Sequence, residues 1–255
     1  MASASTIRVS NPWLISRKRQ SEAVVRLFCF PYAGGSSTIF HKWPQDLPSW
    51  IDVFAVQLPG HGSRLDEPPV TNLHRLVEMI EPALLPHLGQ SFAFFGHSMG
   101  AMISFELART LRDKHSLQPT HLFVSGRPAP QLPVEKPTYN LPEAEFAEEL
   151  RRLNGTPPDV LEHSELMKLM LPILRADFEL VQTYSYTPRP PLDCPITAFG
   201  GWEDQSVSRE SLEAWREQTT NKFSVRMLLG DHFFLHSARP YILNAFKKEL
   251  RAPVI

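Results

Sequence analysis

A serine flanked by glycines is the residue in this sequence whose surroundings most clearly predict chemistry. Ser98 lies at the centre of the pentapeptide Gly-His-Ser-Met-Gly, residues 96–100, between an apolar strand-like run and an apolar helical segment. A serine between a strand and a helix is expected on a tight, strained turn that exposes its hydroxyl, and flanking glycines remove side chains that would collide across the turn. The N-terminus of the following helix also favours negative charge. We therefore predict that Ser98 is a nucleophile.

Two neighbouring carboxylates could serve as the acid that such a serine requires. A serine hydroxyl is a poor nucleophile at neutral pH, so it needs a base, and the base needs an acid to orient it. Where the nucleophile lies on such a strand–turn–helix, the chain order is Ser, then Asp or Glu, then His, with the acid after a late strand. Asp204 follows the strand-like run 196–199 and is the predicted acid, with its neighbour Glu203 as the first alternative. Asp193 precedes that run and is expected at the opposite end of the sheet.

Two histidines near the end of the sequence could serve as the base. His232 follows the last strand-like run, 223–228, and is the predicted base, whereas His236 is the alternative. His97 adjoins the nucleophile, but neighbours on a tight turn point in different directions, so we do not assign it this role. The i, i+4 spacing of His232 and His236 is that of a metal site, but no suitable third ligand accompanies them. We therefore predict no bound metal.

Attack on an acyl carbonyl builds an oxyanion, which needs two preorganised N–H donors. One donor is expected to be the backbone N–H of Met99, the residue after the nucleophile. The other is expected from a loop after an early strand. Ala33 fits this position because Gly34 and Gly35 follow it and allow the backbone to approach the substrate.

Strand-like and helix-like runs alternate along most of the chain, which indicates how these residues could meet. Such alternation is typical of a mostly parallel central sheet flanked by helices. A nucleophile between a strand and a helix, with the order Ser, Asp, His, is typical of the α/β-hydrolase fold. The predicted strands are 24–30, 51–58, 91–95, 120–125, 196–199 and 223–228, and the predicted helices are one capped by Thr71, then 99–112, about 208–219 and about 238–250.

One long stretch interrupts the alternation. Between Pro128 and Pro195 no convincing strand occurs, and the apolar residues follow helical spacing. An all-helical insertion between core strands is typical of a lid over an active site. We therefore predict a core of residues 1–132 and 191–255 and a helical lid at 133–190. The first lid helix carries Phe146, Leu150 and Leu153 and ends at Asn154-Gly155, the second begins at residues 156–159, and the third contains Leu171, Ile173, Leu174, Phe178, Leu180 and Val181.

The composition is that of a globular domain without a strong overall charge. Of the 255 residues 42% are hydrophobic, and the formal net charge of −1 gives no overall field that would attract nucleic acid or an anionic membrane. No apolar run reaches the roughly 18 residues of a membrane span. Cys29 and Cys194 lie in apolar runs and are predicted to be reduced core residues, which favours the cytosol. The first 21 residues are basic and rich in serine, and we interpret them as a polar arm, with a transit peptide as the alternative.

Several sequence blocks together carry a family resemblance. They are RLFCFPYAGG at 26–35, VQLPG at 56–60, GHSMG at 96–100, SGRPAP at 125–130, Gly200-Gly201 with Asp204, Val207, Leu212 and Trp215, and HFF at 232–234. These blocks resemble the type II thioesterases, the stand-alone editing hydrolases of polyketide and nonribosomal peptide synthesis, to which the medium-chain fatty-acid thioesterase of animals is related. The similarity runs from about Trp13 to the last helix. The first and last blocks are specific to this family, whereas the serine pentapeptide alone is not.

The resemblance implies an acyl thioester substrate carried on the phosphopantetheine arm of an acyl or peptidyl carrier protein. It implies hydrolysis through an acyl-Ser98 intermediate, with His232 as base and then acid and Asp204 orienting it. It also implies a cytosolic monomer whose lid shapes the acyl chamber, with the carrier protein as its partner near Gly35–Phe40 and the lid helices. We expect no cofactor, no nucleic acid and no membrane as partners.

Two positions depart from the family pattern. After Leu58-Pro59-Gly60 the family usually has Arg, whereas this chain has His61, and before the histidine it usually has Gly, whereas this chain has Asp231. We interpret Asp231 either as an electrostatic partner of His232 or as a cap of the following helix. Neither change removes a triad member.

The functional alternatives are an esterase or lipase acting on small oxygen esters and a non-catalytic carrier-binding protein that keeps the fold. The complete triad argues against the second.

Overall fold

Seven strands form one sheet at the centre of the molecule. The computed structural model describes residues 11–16, 23–133, 137–153 and 164–250. The spatial order of the strands is β1-β3-β2-β4-β5-β6-β7. Their bounds are β1 Leu14–Ile15, β2 Val25–Phe30, β3 Ile51–Val56, β4 Ser91–His97, β5 Leu122–Ser125, β6 Ile196–Gly201 and β7 Phe223–Leu228.

The pairing of the strands confirms the predicted, mostly parallel sheet. Every neighbouring pair from β3 across to β7 is parallel, and only β1, at the edge, runs antiparallel to β3. All residues of β3, β5 and β6 are buried, as expected when helices cover both faces of a sheet. β1 was not predicted because its two residues are too short to show any periodicity.

Helices lie against both faces of the sheet. One apolar cluster contains Phe28 and Phe94 with residues of α2 and α3, whereas the other contains Leu27 and Phe95 with residues of α8. Adjacent strand residues thus face opposite layers, because side chains alternate along a strand. The helices are α1 Trp43–Asp46, α2 Leu73–Leu84, α3 Met99–His115, α4 Glu143–Leu153, α5 Ser164–Gln182, α6 Arg209–Glu213, α7 Phe234–Ser237 and α8 Arg239–Glu249, with 3-10 turns at Ser37–Phe40, Gly62–Arg64, Leu85–His87 and Ala214–Gln218.

Two details of the helices differ from the sequence prediction. The cap of α2 is Asn72, whose side-chain oxygen accepts from the Arg75 N–H at 3.0 Å, so the predicted Thr71 cap is wrong by one residue. Asparagine and threonine both favour this position, and sequence preference does not separate them. The predicted helix at 208–219 is divided into α6 and a 3-10 turn.

The stretch predicted to be an insertion carries α4 and α5. Between β5 and β6 the described residues contain no strand and only one isolated bridge, from Leu192 to Thr219. A separate small cluster joins the two helices through Phe146, Leu150, Leu171 and Leu174. The predicted helix end at Asn154-Gly155 and helix start at 156–159 lie outside the described residues, as does most of the predicted N-terminal arm.

Both cysteines are buried and unpaired, in agreement with the sequence prediction. Burial raises the pKa of the Cys29 thiol well above its usual range and the pKa of Cys194 to about 12, so both stay protonated near neutral pH. None of the helices in the described ranges has the length and apolarity needed to cross a bilayer.

Candidate active site

Ser98 occupies a strained turn between β4 and α3. Its backbone has φ 52° and ψ −111°, in a region that non-glycine residues rarely adopt, at a cost of about 1–3 kcal/mol. The Ser98 N–H donates to the carbonyl oxygen of Ser125 on the neighbouring strand at 2.7 Å. A β-carbon placed on Gly96 would lie 2.1 Å from the Gly100 carbonyl oxygen, and one on Gly100 would lie 2.2 Å from that of Phe30. Both glycines are therefore required by close backbone approach, as the sequence suggested.

Asp204 and His232 are brought together at the carboxyl edge of the sheet. Nδ1 of His232 donates to Oδ2 of Asp204 at 2.7 Å, and the Asp204 side chain is only 1% exposed. The contact arises because the two residues follow β6 and β7, which are parallel neighbours. With its proton on Nδ1, the neutral imidazole presents Nε2 as a proton acceptor.

The hydrogen bonds to Asp204 stabilise its charged form. Burial alone would raise the pKa of this carboxyl, but hydrogen bonds from His232 and Ser206 lower it below its ordinary value. The Ser206 N–H and hydroxyl both donate to Oδ1 of Asp204, at 2.9 and 2.7 Å. Ser206 was not identified from the sequence, although a serine two residues after an aspartate is a common partner in a local turn.

The alternative acids and base occupy other places. Glu203 is exposed to solvent, and Asp193 lies before β6, where it accepts from the Thr220 hydroxyl at 3.1 Å. His236 is exposed, and its Nε2 lies 3.1 Å from the Tyr32 hydroxyl. Asp231 accepts from the Phe233 N–H at 2.8 Å, which fits its interpretation as a cap at the start of the helical segment.

His97, whose role was not predicted from the sequence, is a buried residue that links two parts of the chain. Its Nε2 lies 2.9 Å from the backbone carbonyl oxygen of His232, and its Nδ1 lies 2.9 Å from the Ser125 hydroxyl. A carbonyl only accepts, so Nε2 carries the proton, and burial lowers the pKa of His97 well below its usual range and keeps the ring neutral. His97 thereby joins the turn that carries Ser98 to the loop that carries His232.

The two predicted oxyanion donors belong to the start of α3 and to the loop after β2. Met99 is the first residue of α3, where a backbone N–H has no partner within its helix, and Ala33 lies in the loop after β2. Within the described part of the chain, neither N–H donates to another group. Ala33, Met99 and Ser98 all line one cavity.

That cavity has a volume of about 580 Å³, within the usual range for small-molecule sites. Ser98 and His232 lie in its wall together with apolar side chains of α4 and α5, which include Leu150, Leu174 and Phe178. Arg127 also lines the cavity, and burial lowers its pKa to about 10, so it stays positively charged.

The described residues include no group of three His, Cys, Asp or Glu side chains that could hold a metal ion.

Comparison with known proteins identifies clear relatives. A sequence model of the thioesterase domain matches residues 25–250. The gramicidin S biosynthesis protein GrsT of Aneurinibacillus migulanus is 50% identical over 242 residues, covering 94% of each chain. The medium-chain S-acyl fatty acid synthase thioesterase of Rattus norvegicus is 37% identical over 220 residues, covering 84% of this chain and 82% of the rat protein. The solved structure of BorB, the type II thioesterase of the borrelidin biosynthetic cluster, superposes with a TM-score of 0.86 at 36% identity, over 94% of this chain and 98% of BorB.

Proposed function

The chain belongs to the thioesterase family, and from this we propose that it hydrolyses acyl thioesters on the phosphopantetheine arm of a carrier protein through an acyl-Ser98 intermediate. The observation that carries the proposal is that Ser98 lines the same cavity as His232, whose ring is hydrogen-bonded to Asp204. The relatives supply the substrate class, since they include a protein of gramicidin S biosynthesis and a type II thioesterase.

In the first half-reaction, Nε2 of His232 takes the proton of the Ser98 hydroxyl as the serine oxygen attacks the thioester carbonyl. Asp204 holds Nδ1 of His232 and stabilises the imidazolium that forms. The N–H groups of Ala33 and Met99 stabilise the oxyanion of the tetrahedral intermediate. The intermediate collapses when the C–S bond breaks, and the imidazolium proton passes to the phosphopantetheine thiolate.

The second half-reaction releases the acyl group. His232 takes a proton from water as the water oxygen attacks the acyl-Ser98 carbonyl, and the same two amides stabilise the second oxyanion. The C–O bond to Ser98 breaks, the serine oxygen regains its proton from His232, and a free carboxylic acid leaves. A thioester suits this site because its carbonyl has less resonance stabilisation than an oxygen ester and a thiolate leaves readily.

The apolar wall of the cavity supports an acyl group as the bound part of the substrate. Leu150 on α4 and Leu174, Phe178 and Val181 on α5 contribute to this wall. We place residues 133–190 as a lid between the two core parts, 1–132 and 191–255, because this stretch lies between β5 and β6 and carries helices that line the cavity. The enzyme is proposed to act as a cytosolic monomer whose partner is the carrier protein.

The test combines labelling with substrate release. A fluorophosphonate probe should label the wild type at Ser98 and fail on Ser98→Ala, and kcat of that variant should fall by about 10⁶, as when triad residues are removed in other serine hydrolases. Mass spectrometry of a panel of acyl-carrier proteins would measure release and the preferred acyl group directly.

Two outcomes would contradict the proposal. Faster turnover of p-nitrophenyl esters than of any carrier-bound thioester would favour an esterase acting on oxygen esters. Folded wild-type protein that neither takes the probe nor releases acyl groups would favour a non-catalytic carrier-binding protein.

A further inference from the structure

A buried ion pair connects the long helix α5 to the core next to the predicted oxyanion loop. Nε2 of His61 lies 2.8 Å from Oδ2 of Asp177, and both side chains are 3% exposed. The same carboxylate oxygen accepts the backbone N–H of Gly34 at 2.7 Å. Asp177 belongs to α5, His61 follows β3, and Gly34 is adjacent to Ala33, so one carboxylate connects its own helix to two other parts of the chain.

The contacts of the His61 ring require both of its nitrogens to carry protons. Nε2 faces the Asp177 carboxylate, and Nδ1 lies 2.9 Å from the carbonyl oxygen of Pro59. A carboxylate and a carbonyl only accept hydrogen bonds, so each ring nitrogen must donate. Only the imidazolium has two donors, so His61 is a cation in this arrangement. Although burial alone would lower the pKa of His61, the hydrogen bond and charge of Asp177 together with the Pro59 carbonyl raise it above its ordinary value of 6.5.

The other polar side chains near His61 form hydrogen bonds or ion pairs with groups other than the His61 ring. The Gln57 side-chain amide donates to the His61 carbonyl at 2.6 Å, and its oxygen accepts from the Ser37 hydroxyl at 2.6 Å. Arg64 forms an ion pair with Glu67 at 2.6 Å. Asp177 is thus the charged group that contacts the His61 ring, among the residues that the structure describes.

α5 also contacts Gly34 directly. Gly34 has φ +75°, and a β-carbon placed on it would lie 2.6 Å from the Leu174 side chain. Leu174 and Asp177 are three residues apart, so they lie on the same face of the helix. The helix therefore contacts the loop at two points, through an apolar side chain and through a carboxylate.

We propose that the His61–Asp177 ion pair is a positioning device that orients the Ala33–Gly34 backbone for oxyanion stabilisation, and that it does so only while His61 is protonated. This inference rests on the proposed function, since it assigns the Ala33 N–H to the oxyanion. Asp177 and His61 are positioning residues that act through the backbone of the loop and do not touch the reacting atoms.

The direction of the pH effect follows from the raised pKa. The ion pair requires a protonated His61 and is lost as pH rises through the pKa of folded His61, which lies above 6.5. The Asp177 carboxylate is then buried without its cationic partner, which is costly, and the helix and the Gly34 amide rearrange. Because an oxyanion donor acts in the transition state, kcat should fall while KM stays nearly constant.

The first experiment does not depend on activity. Nuclear magnetic resonance of the full chain labelled with ¹⁵N should show both His61 ring nitrogens protonated at pH 6.5 and a titration midpoint above that pH. The Gly34 amide proton should change its chemical shift with the same midpoint as the His61 ring. A His61 titration midpoint at or below 6.5, or a Gly34 amide that does not follow the titration, would overturn the proposal.

The second experiment measures kcat and KM against pH on a carrier-bound acyl thioester. The wild type should lose kcat on the alkaline side, and His61→Arg should not, because its cation does not titrate in this range. His61→Gln and Asp177→Asn should lower kcat about tenfold or more and should show no alkaline decline. Removal of an oxyanion donor lowers kcat by roughly 10²–10³, and a misplaced donor should lose part of that factor. Glu165→Gln, which breaks an exposed ion pair with Lys168 on the same helix, is the matched control and should behave as the wild type.

Variants that keep both the wild-type kcat and the alkaline decline would refute the positioning role. If His61→Arg does not fold, His61→Gln and the magnetic resonance titration still decide the question. Failure of the proposed function would look different, because the wild type would then either resist the fluorophosphonate probe at Ser98 or turn over p-nitrophenyl esters faster than any carrier-bound thioester.

Discussion

Two contacts with different consequences meet at His232. Its ring is held by the Asp204 carboxylate at 2.7 Å, whereas its backbone carbonyl is held by the buried His97 at 2.9 Å. The first contact sets which ring nitrogen carries the proton, and the second sets where the loop after β7 lies. The chemistry of the imidazole and its location are therefore controlled by separate residues.

The first of these contacts gives a prediction at the residue scale. Asp204→Asn replaces an acceptor with an amide that can donate to Nδ1, which favours the wrong tautomer of His232. We expect kcat to fall by about 10⁴ with an unchanged melting temperature near neutral pH, as in other serine triads. Steady-state kinetics on a carrier-bound thioester would measure it.

The adjacent carboxylate provides the control for this substitution. Glu203 is exposed, and Glu203→Gln should leave kcat unchanged. If Glu203→Gln were the damaging change and Asp204→Asn were harmless, the acid would have been assigned to the wrong residue.

At the scale of elements, the turn between β4 and α3 depends on the close approach of two backbone segments. The start of α3 lies so near the end of β2 that a β-carbon on Gly100 would be 2.2 Å from the Phe30 carbonyl oxygen. This packing holds Ser98 at its strained dihedral angles, because the chain has no room to relax.

Gly100→Ala is therefore expected to destabilise the protein and to reduce labelling of Ser98, even though alanine is the better helix former. The overpacking cost is about 1–3 kcal/mol, larger than the gain in helix propensity of about 1 kcal/mol. Chemical denaturation and the rate of fluorophosphonate labelling would measure the two effects.

Gly89→Ala is the matched control for this change, because a β-carbon on Gly89 meets no atom within 4 Å. It should keep wild-type stability and labelling. A stable, fully reactive Gly100→Ala variant would show that the turn tolerates a shift of α3.

At the scale of the whole molecule, buried histidines should make stability depend on pH. His121 is 4% exposed, stacks on Phe123 at 4.1 Å, and lies 2.9 Å from the Thr197 hydroxyl through its Nε2. Burial, with a smaller contribution from Arg226, lowers the pKa of His121 to about 4. His97 is also buried with a lowered pKa, whereas the pKa of His61 is raised.

The sign follows from proton linkage. Between pH 6.5 and about 4 the unfolded chain binds a proton at position 121 that the folded chain does not, so folding stability falls as pH falls through this range. The change amounts to about 3 kcal/mol for this residue, by the roughly 1.4 kcal/mol per pKa unit. Denaturation curves at several pH values should show the decline, and His121→Gln should make it shallower.

Thr197→Val is the control, because it removes the hydrogen-bond partner of His121 but keeps the titrating ring. It should lower stability and retain the pH dependence. An unchanged slope in His121→Gln would contradict the assignment of the proton to this residue.

The features that can be predicted from the sequence are those that depend on short stretches of chain. The nearly continuous apolar runs around Phe28, Val53, Phe94 and Val124 predict buried parallel strands. Successive side chains of a strand point to opposite faces of the sheet, so a strand whose two faces are both covered is apolar at almost every position. The glycines around Ser98 predict the tight turn because only a residue without a side chain fits where backbones nearly touch. The order of Ser98, Asp204 and His232 predicts that their strands carry them to one edge of the sheet.

The contacts between distant polar groups could not be predicted and became visible in the folded chain. Glu203 and Asp204 are adjacent in sequence, and the turn after β6 exposes one and directs the other to His232. The contact of His61 with Asp177 spans 116 positions, and no local pattern predicts it. Periodicity and turn preference act over a few residues, whereas the pairing of buried charges depends on how helices and strands pack, which is a property of the whole chain.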